Sequence, residues 1–158
     1  MMTVETILQE ADRTLAESLQ GDPNARMDAI TRFMRSFEEL ARQIASGGGT
    51  WDDVRSWARD AVERVRAARL ALADWEIAMG QLFYKPSGDE TDAEAALDRR
   101  SQHAFAREVF QGTPVDLMLA EFEDAEVDQD FHEEAERLAL DAPSWVPRSH
   151  TWWRWREK

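Results

Sequence analysis

Residues 50–84 read TWDDVRSWARDAVERVRAARLALADWEIAMGQLFY, without proline and with a single glycine, Gly80. Apolar residues fall at Trp51, Val54, Ala58, Ala61, Val65, Ala68, Leu72, Trp75, Met79 and Leu82. The steps between them alternate three and four, which places them on one face of a long helix. Thr50 is suited to cap it, with Asp53 three residues on as the reciprocal acceptor. At ~1.5 Å per residue the helix would extend on the order of 50 Å. A spine of that length needs other helices along it, or a second copy of the chain, so helix 51–84 is also a candidate homodimer seam.

The flanking sequence supplies those helices. Thr3 caps a predicted helix Val4–Leu19, with Val4, Leu8, Ala11, Leu15 and Leu19 on one stripe and Ile7 beside it. Gly21-Asp22-Pro23 breaks it and starts another, with Asp22 as cap and Pro23 at the first helical position. That helix runs to Ala45, where Gly47-Gly48-Gly49 stops it and predicts an antiparallel hairpin between it and helix 51–84. After Lys85-Pro86-Ser87-Gly88 the pattern predicts a helix over Asp92–Phe110. A further helical stretch, 114–141, follows Thr113-Pro114-Val115-Asp116. Its apolar stripe slips near Glu126–Gln129, so it is either kinked or two helices. Pro143 and Pro147 exclude a helix at the start of the ending, PSWVPRSHTWWRWREK, which reads as an extended tail. The expected fold is therefore all-α. An antiparallel bundle of about five helices, residues 1–142, surrounds the long helix, with a Trp/Arg-rich tail, 143–158.

With 158 residues and 43% hydrophobic content, the chain can bury a real core. It has no cysteine, which excludes disulfides and thiolate metal sites and fits a cytoplasmic location. The acidic, amphipathic N-terminus does not read as a signal peptide. No apolar run approaches the ~20 residues of a membrane span. The net charge of −13 is uneven: residues 86–144 carry 17 acidic and 4 basic side chains, and residues 145–158 carry 1 and 4. Such a surface repels phosphates, so neither nucleic acid nor a membrane is expected as partner.

From Glu121 to Glu136 there are nine carboxylates and no Lys or Arg. The pairs Glu123/Glu126 and Glu133/Glu136 have the E-x-x-E spacing with which helical nucleotide hydrolases hold magnesium. In so acidic a run the spacing arises readily by chance, and a solvated face is the simpler reading. The run lacks the glycine and terminal glutamate of a calcium loop. His103, His132 and His150 form no metal-ligand spacing, and no nucleophile or phosphate-loop motif is present. The expectation is a non-enzymatic protein without cofactor: an acidic adaptor or regulatory subunit that binds a basic or apolar groove on another protein. Glu121, Glu123, Glu126 and Asp130 are the candidate contacts on the acidic run, and Trp152, Trp153, Arg154 and Trp155 those on the tail. The alternatives are a magnesium-dependent hydrolase on the four E-x-x-E carboxylates, or an inhibitor that mimics nucleic acid. The simpler reading of the tail is intramolecular, with Trp145 and Trp152 in a groove and Arg148, Arg154 and Arg156 on the acidic run. Residues 147–153, P-x-S-H-x-W-W, are similar to the ends of small helical proteins encoded beside larger effectors in bacterial conflict systems, over a stretch too short to identify a family.

Overall fold

The computed structural model describes residues 3–69 and 90–157, and every regular element among them is helical. The helices are α1 (Val4–Glu17), α2 (Pro23–Ala45), α3 (Trp51–Ala67), α4 (Glu90–Val109), α5 (Pro114–Ala120) and α6 (Ala125–Arg137), followed by a 3-10 turn at Thr151–Trp153. Local chemistry sets most starts. Thr3 and Asp22 accept from the third backbone N–H of α1 and α2, and Thr50 and Asp53 form a reciprocal capping box on α3. Thr113 does not cap α5. Its hydroxyl donates back to the Phe110 carbonyl at 2.7 Å, and Asp116 accepts from Arg107 instead.

The predicted helix 51–84 is described over Trp51–Ala67, with Val54, Ala58, Ala61 and Val65 buried along the expected seam. Ala68 turns out of the helix, still buried, and residues 70–89, with Trp75, Met79 and Gly80, lie outside the described residues. The dimer seam expected along 51–84 therefore falls partly there. Among the described residues α4 has the most neighbours, packing on α2, α3, α5 and α6. The second half of the helix expected to pair with α2 in a hairpin falls outside the described residues; among these, α2 lies against α1 and α4, and α3 against α1, α4 and α5. The link between them passes the start of α1 so closely that a Cβ on Gly49 would lie 2.8 Å from Val4 Cγ2. Trp57 then donates to Asp12 of α1 at 3.0 Å, beside an Arg64–Asp12 ion pair. Phe110, after α4, closes the centre, with its ring 6.1 Å from both Phe37 and Trp57.

The buried face of α1 differs from the predicted stripe. Ile7, Ala11, Thr14, Leu15 and Ser18 are buried, while Leu19 is 45% exposed. Thr14 and Ser18 escaped an apolar count, but their hydroxyls bond back to carbonyls of their own helix. Being small, they suit a close approach of α2. The stretch 114–141 is two helices. The break is at Glu121–Asp124, earlier than the stripe slip suggested, because Asp124 caps α6 through the Glu126 N–H at 2.8 Å.

Helix α6 ends in a turn that aims the chain at the tail. Leu140 N–H bonds to the Ala135 carbonyl and Ala139 N–H to that of Glu136, a Schellman pattern that requires a left-handed residue. Ala139 fills that position at φ 53° and is exposed. An L-residue there costs on the order of 1–2 kcal/mol. Ala139→Gly should therefore raise the urea midpoint, by a gain of about 1 kcal/mol after glycine's greater unfolded-state entropy is deducted. An unchanged or lowered midpoint would contradict the turn.

Candidate functional site

The middle of α4, Arg100-Ser101-Gln102-His103, is a run of four polar residues, and all four are buried. Ser101 is the centre. Its Oγ lies 3.1 Å from Trp152 Nε1, 3.1 Å from Trp153 Nε1 and 2.8 Å from His150 Nδ1. An indole N–H can only donate, so the two tryptophans fill both hydroxyl lone pairs, and the single O–H must go to His150. Nδ1 of His150 is therefore an acceptor and the ring proton sits on Nε2. Burial, with Arg100 and Arg154 close by, agrees by pushing the His150 pKa down to about 3.

Arg100 extends the network. Its Nε and Nη2 bind both oxygens of Asp128 at 2.6 and 3.0 Å, and its guanidinium lies 4.0 Å from the centre of the Trp152 ring. Trp152 stacks in turn on His150 at 4.8 Å, and His150 meets Phe105 at the same separation. Beyond Phe105 lie Trp51, stacked at 6.4 Å, and Trp145 at 5.8 Å, whose ring carries Arg42. A ladder of rings thus joins α3, α4 and the tail, with an arginine at either end.

An open cleft of about 400 Å³ lies beside this ladder. Trp51, Phe105, His150 and Trp152 supply ring surface to its wall, with Ala104 and Pro147 between them. Its polar groups come from Arg100, Glu108, Glu123 and Ser149. Glu108 accepts from Arg55 at 2.5 Å, and Glu123 accepts from Arg107 at 2.9 Å. His103 lies 3.9 Å from Glu123 without forming an ion pair. Burial and the nearby Arg100 push its pKa down to about 3, and its Nε2–H donates to the Leu119 carbonyl at 2.9 Å.

The candidate contacts read from the sequence separate into two groups. Glu121 is exposed and pairs with Arg69. Glu123 sits in the α5–α6 break, tied to Arg107. Glu126 is exposed in the first turn of α6, and Asp130 is half-buried one turn further on. In the tail, Trp152 and Trp153 are 4% and 2% exposed and belong to the protein's own core. Arg154 donates to the Val146 carbonyl, and Trp155 donates to that of Leu140 at 2.6 Å beneath Arg156. The tail arginines do not meet the run Glu121–Glu136 as expected: Arg156 pairs with Asp141, and Arg148 faces Glu157. Arg69, Arg100, Arg107 and Arg137 are among the cations that pair with carboxylates of that run. What joins α6 to the tail is His132, whose Nδ1–H donates to the Thr151 carbonyl at 2.9 Å.

The break also separates the E-x-x-E pairs. Glu123 precedes α6 and is held by arginine, whereas Glu126, Glu133 and Glu136 lie on the helix. No three His, Asp or Glu side chains among the described residues gather as a metal site would require. The functional residues missed in the sequence are Ser101, Arg100, Glu108 and Trp51. Only the placement of a serine four residues from both Leu97 and Phe105, on their helix face, hinted at one of them.

A second electrostatic feature lies on the α2–α4 seam. Asp98 is raised to about 7 by burial and by the carboxylates of Glu38 and Glu94, against the opposing Arg42. Burial raises Glu38 as well. Comparison with protein-family models, curated proteins and solved structures finds no match to the chain.

Two outcomes follow from these environments. Ser101→Ala leaves three buried polar atoms without their partner and should cost at least about 2 kcal/mol in chemical denaturation. Ser36→Ala removes only a bond to the helix's own Arg32 carbonyl and should cost under about 1 kcal/mol. Equal costs would dismiss the network. Asp98 holds its proton more tightly in the folded chain than at the unfolded 3.8, so its favourable contribution is lost as pH rises through about 7. Asp98→Asn should be more stable than the parent at pH 8 and no more stable near pH 4, by urea midpoints. His103 and His150 act with the opposite sign: their contribution is present above 6.5 and declines as pH falls toward 3.

Proposed function

We propose that the protein is a non-enzymatic interaction module, an acidic adaptor or regulatory subunit that binds a basic surface of another protein. The supporting observation is how the break at Glu121–Asp124 sorts the acidic run. Glu123 and Asp128 turn inward and pair with Arg107 and Arg100. Glu126, Glu133 and Glu136 remain exposed on α6, without an ion pair to Lys or Arg among the described residues. Glu126 and Glu133 are seven residues apart and share one face of the helix, with Asp130 beside them. The exposed carboxylates of Glu126, Glu133 and Glu136 offer a complementary field to a cationic surface and steer its approach.

Tail residues support the surface from behind rather than forming it. Trp153 and Trp152 anchor the 3-10 turn against α6, and His132 ties the helix to that turn. The face is thereby held on a rigid element instead of a loop.

The test is quantitative capture of the physiological partner from native lysate by the parent and by Glu126→Gln/Glu133→Gln/Glu136→Gln. Recovery should fall at least about fivefold in the triple variant, and parent recovery should fall as salt rises from 0.05 to 0.5 M. Equal recovery by both proteins would reject the acidic face.

A further inference from the structure

We propose that the cleft between α3, α4, the α5–α6 break and the tail is a receptor for a cationic side chain, arginine or lysine, projecting from a basic peptide segment of the partner. The inference rests on the partner-binding reading above and names the pocket and the chemistry it takes.

The walls select the charge. Trp51 is the half-buried ring of the cleft wall, and an aromatic face attracts cations, while Phe105 and Trp152 back the wall from the core. Arg100 already shows this preference within the protein, lying over Trp152 at 4.0 Å. Two carboxylates line the same space, and each retains an acceptor. Arg55 occupies Glu108 Oε1, and no described residue hydrogen-bonds Oε2. Arg107 occupies Glu123 Oε2, and Oε1 lies 3.7 Å from the nearest nitrogen of Arg100, beyond hydrogen-bond reach. A guanidinium or ammonium entering between them would find acceptors that ordinary pairing has not saturated.

The same walls disfavour other guests. An anion would meet Glu108 and Glu123, while the one cation lining the cleft is clamped on Asp128 and only 7% exposed. A purely apolar guest would strip water from two carboxylates without replacing it. His150 is neutral and adds no repulsion toward a cation. A volume of about 400 Å³ suits a side chain with its flanking backbone, within the ~300–1,000 Å³ of ligand-sized pockets. Asp124 and Glu126 follow Glu123 at the start of α6, so a peptide with one cation in the cleft can set its neighbours along the acidic face.

The experiment titrates the full-length protein with hexa-arginine and with hexa-citrulline, its neutral isostere, at 0.15 M salt. Calorimetry gives the affinity, and fluorescence of the cleft tryptophans gives the site. Hexa-arginine should bind and hexa-citrulline should not. Trp51→Leu and Glu108→Gln should each weaken binding about fivefold or more, whereas Trp51→Phe, which keeps a ring, should stay within about twofold. Glu108 is 43% exposed, so Glu108→Gln reads the cleft without disturbing the core even if Trp51→Leu lowers the melting temperature. Parent-like affinity in Trp51→Leu and Glu108→Gln, with loss only in the Glu126/Glu133/Glu136 triple variant, would overturn the cleft and leave the acidic face standing. Equal binding of hexa-citrulline, or no binding of hexa-arginine, would also overturn it.

Discussion

One hydroxyl organises this molecule's least regular part. Ser101 has one hydrogen and two lone pairs, and His150, Trp152 and Trp153 use all three. A tail with two prolines, short turns and no long helix is thereby docked in one register, because one hydroxyl accepts from both buried indoles at once. The docking has consequences outward. It brings Trp152 under Arg100, forces the neutral tautomer on His150 and lays the ring ladder between α3 and the tail. The cleft exists because that ladder stops at the surface beside Glu108 and Glu123.

Electrostatics explain how so acidic a chain closes around α4. The segment 86–144 holds four arginines, and α4 places Arg100 and Arg107 on the side facing Glu123 and Asp128. Those carboxylates are drawn inward, and the rest of the run stays in water, where its mutual repulsion is screened. Elsewhere the charge is arranged less favourably. Asp98 and Glu38 face one another across the α2–α4 seam, and burial holds the proton on Asp98 to about pH 7. The central helix thus carries both a buried, ion-paired arginine and a site of electrostatic strain.

Features governed by near neighbours in the chain were legible. Thr3, Asp22 and Thr50 cap the helices they were expected to cap, α2 runs Pro23–Ala45 as the pattern predicts, and the seam from Val54 to Ala68 is buried. Features governed by distant partners were not. A count of apolar spacing passes over Thr14 and Ser18, whose hydroxyls are satisfied by their own helix and so can face the core. It likewise passes over Arg100 to His103, whose partners lie far along the chain. The three glycines after α2 signalled a reversal, but the direction α3 takes is set by Trp57 and Arg64 meeting Asp12 on α1. The candidate site shows the same division: the acidic run and the tryptophan cluster stand out in composition, while Glu108 and Trp51 acquire meaning only beside each other.

By itself the sequence determined an all-helical chain, most of its helix starts, its alanine-rich seam and the concentration of negative charge before a tryptophan-rich end. These follow from three-and-four periodicity, capping chemistry and composition, which act within a few residues. Tertiary structure alone decided that α4 packs on four other helices, that Trp152 and Trp153 are core, and that Glu123 and Asp128 pair with arginines of α4. Each of these depends on which buried donor finds an acceptor across a long loop. A polar residue has the same letter in the sequence whether its partner is water or Ser101.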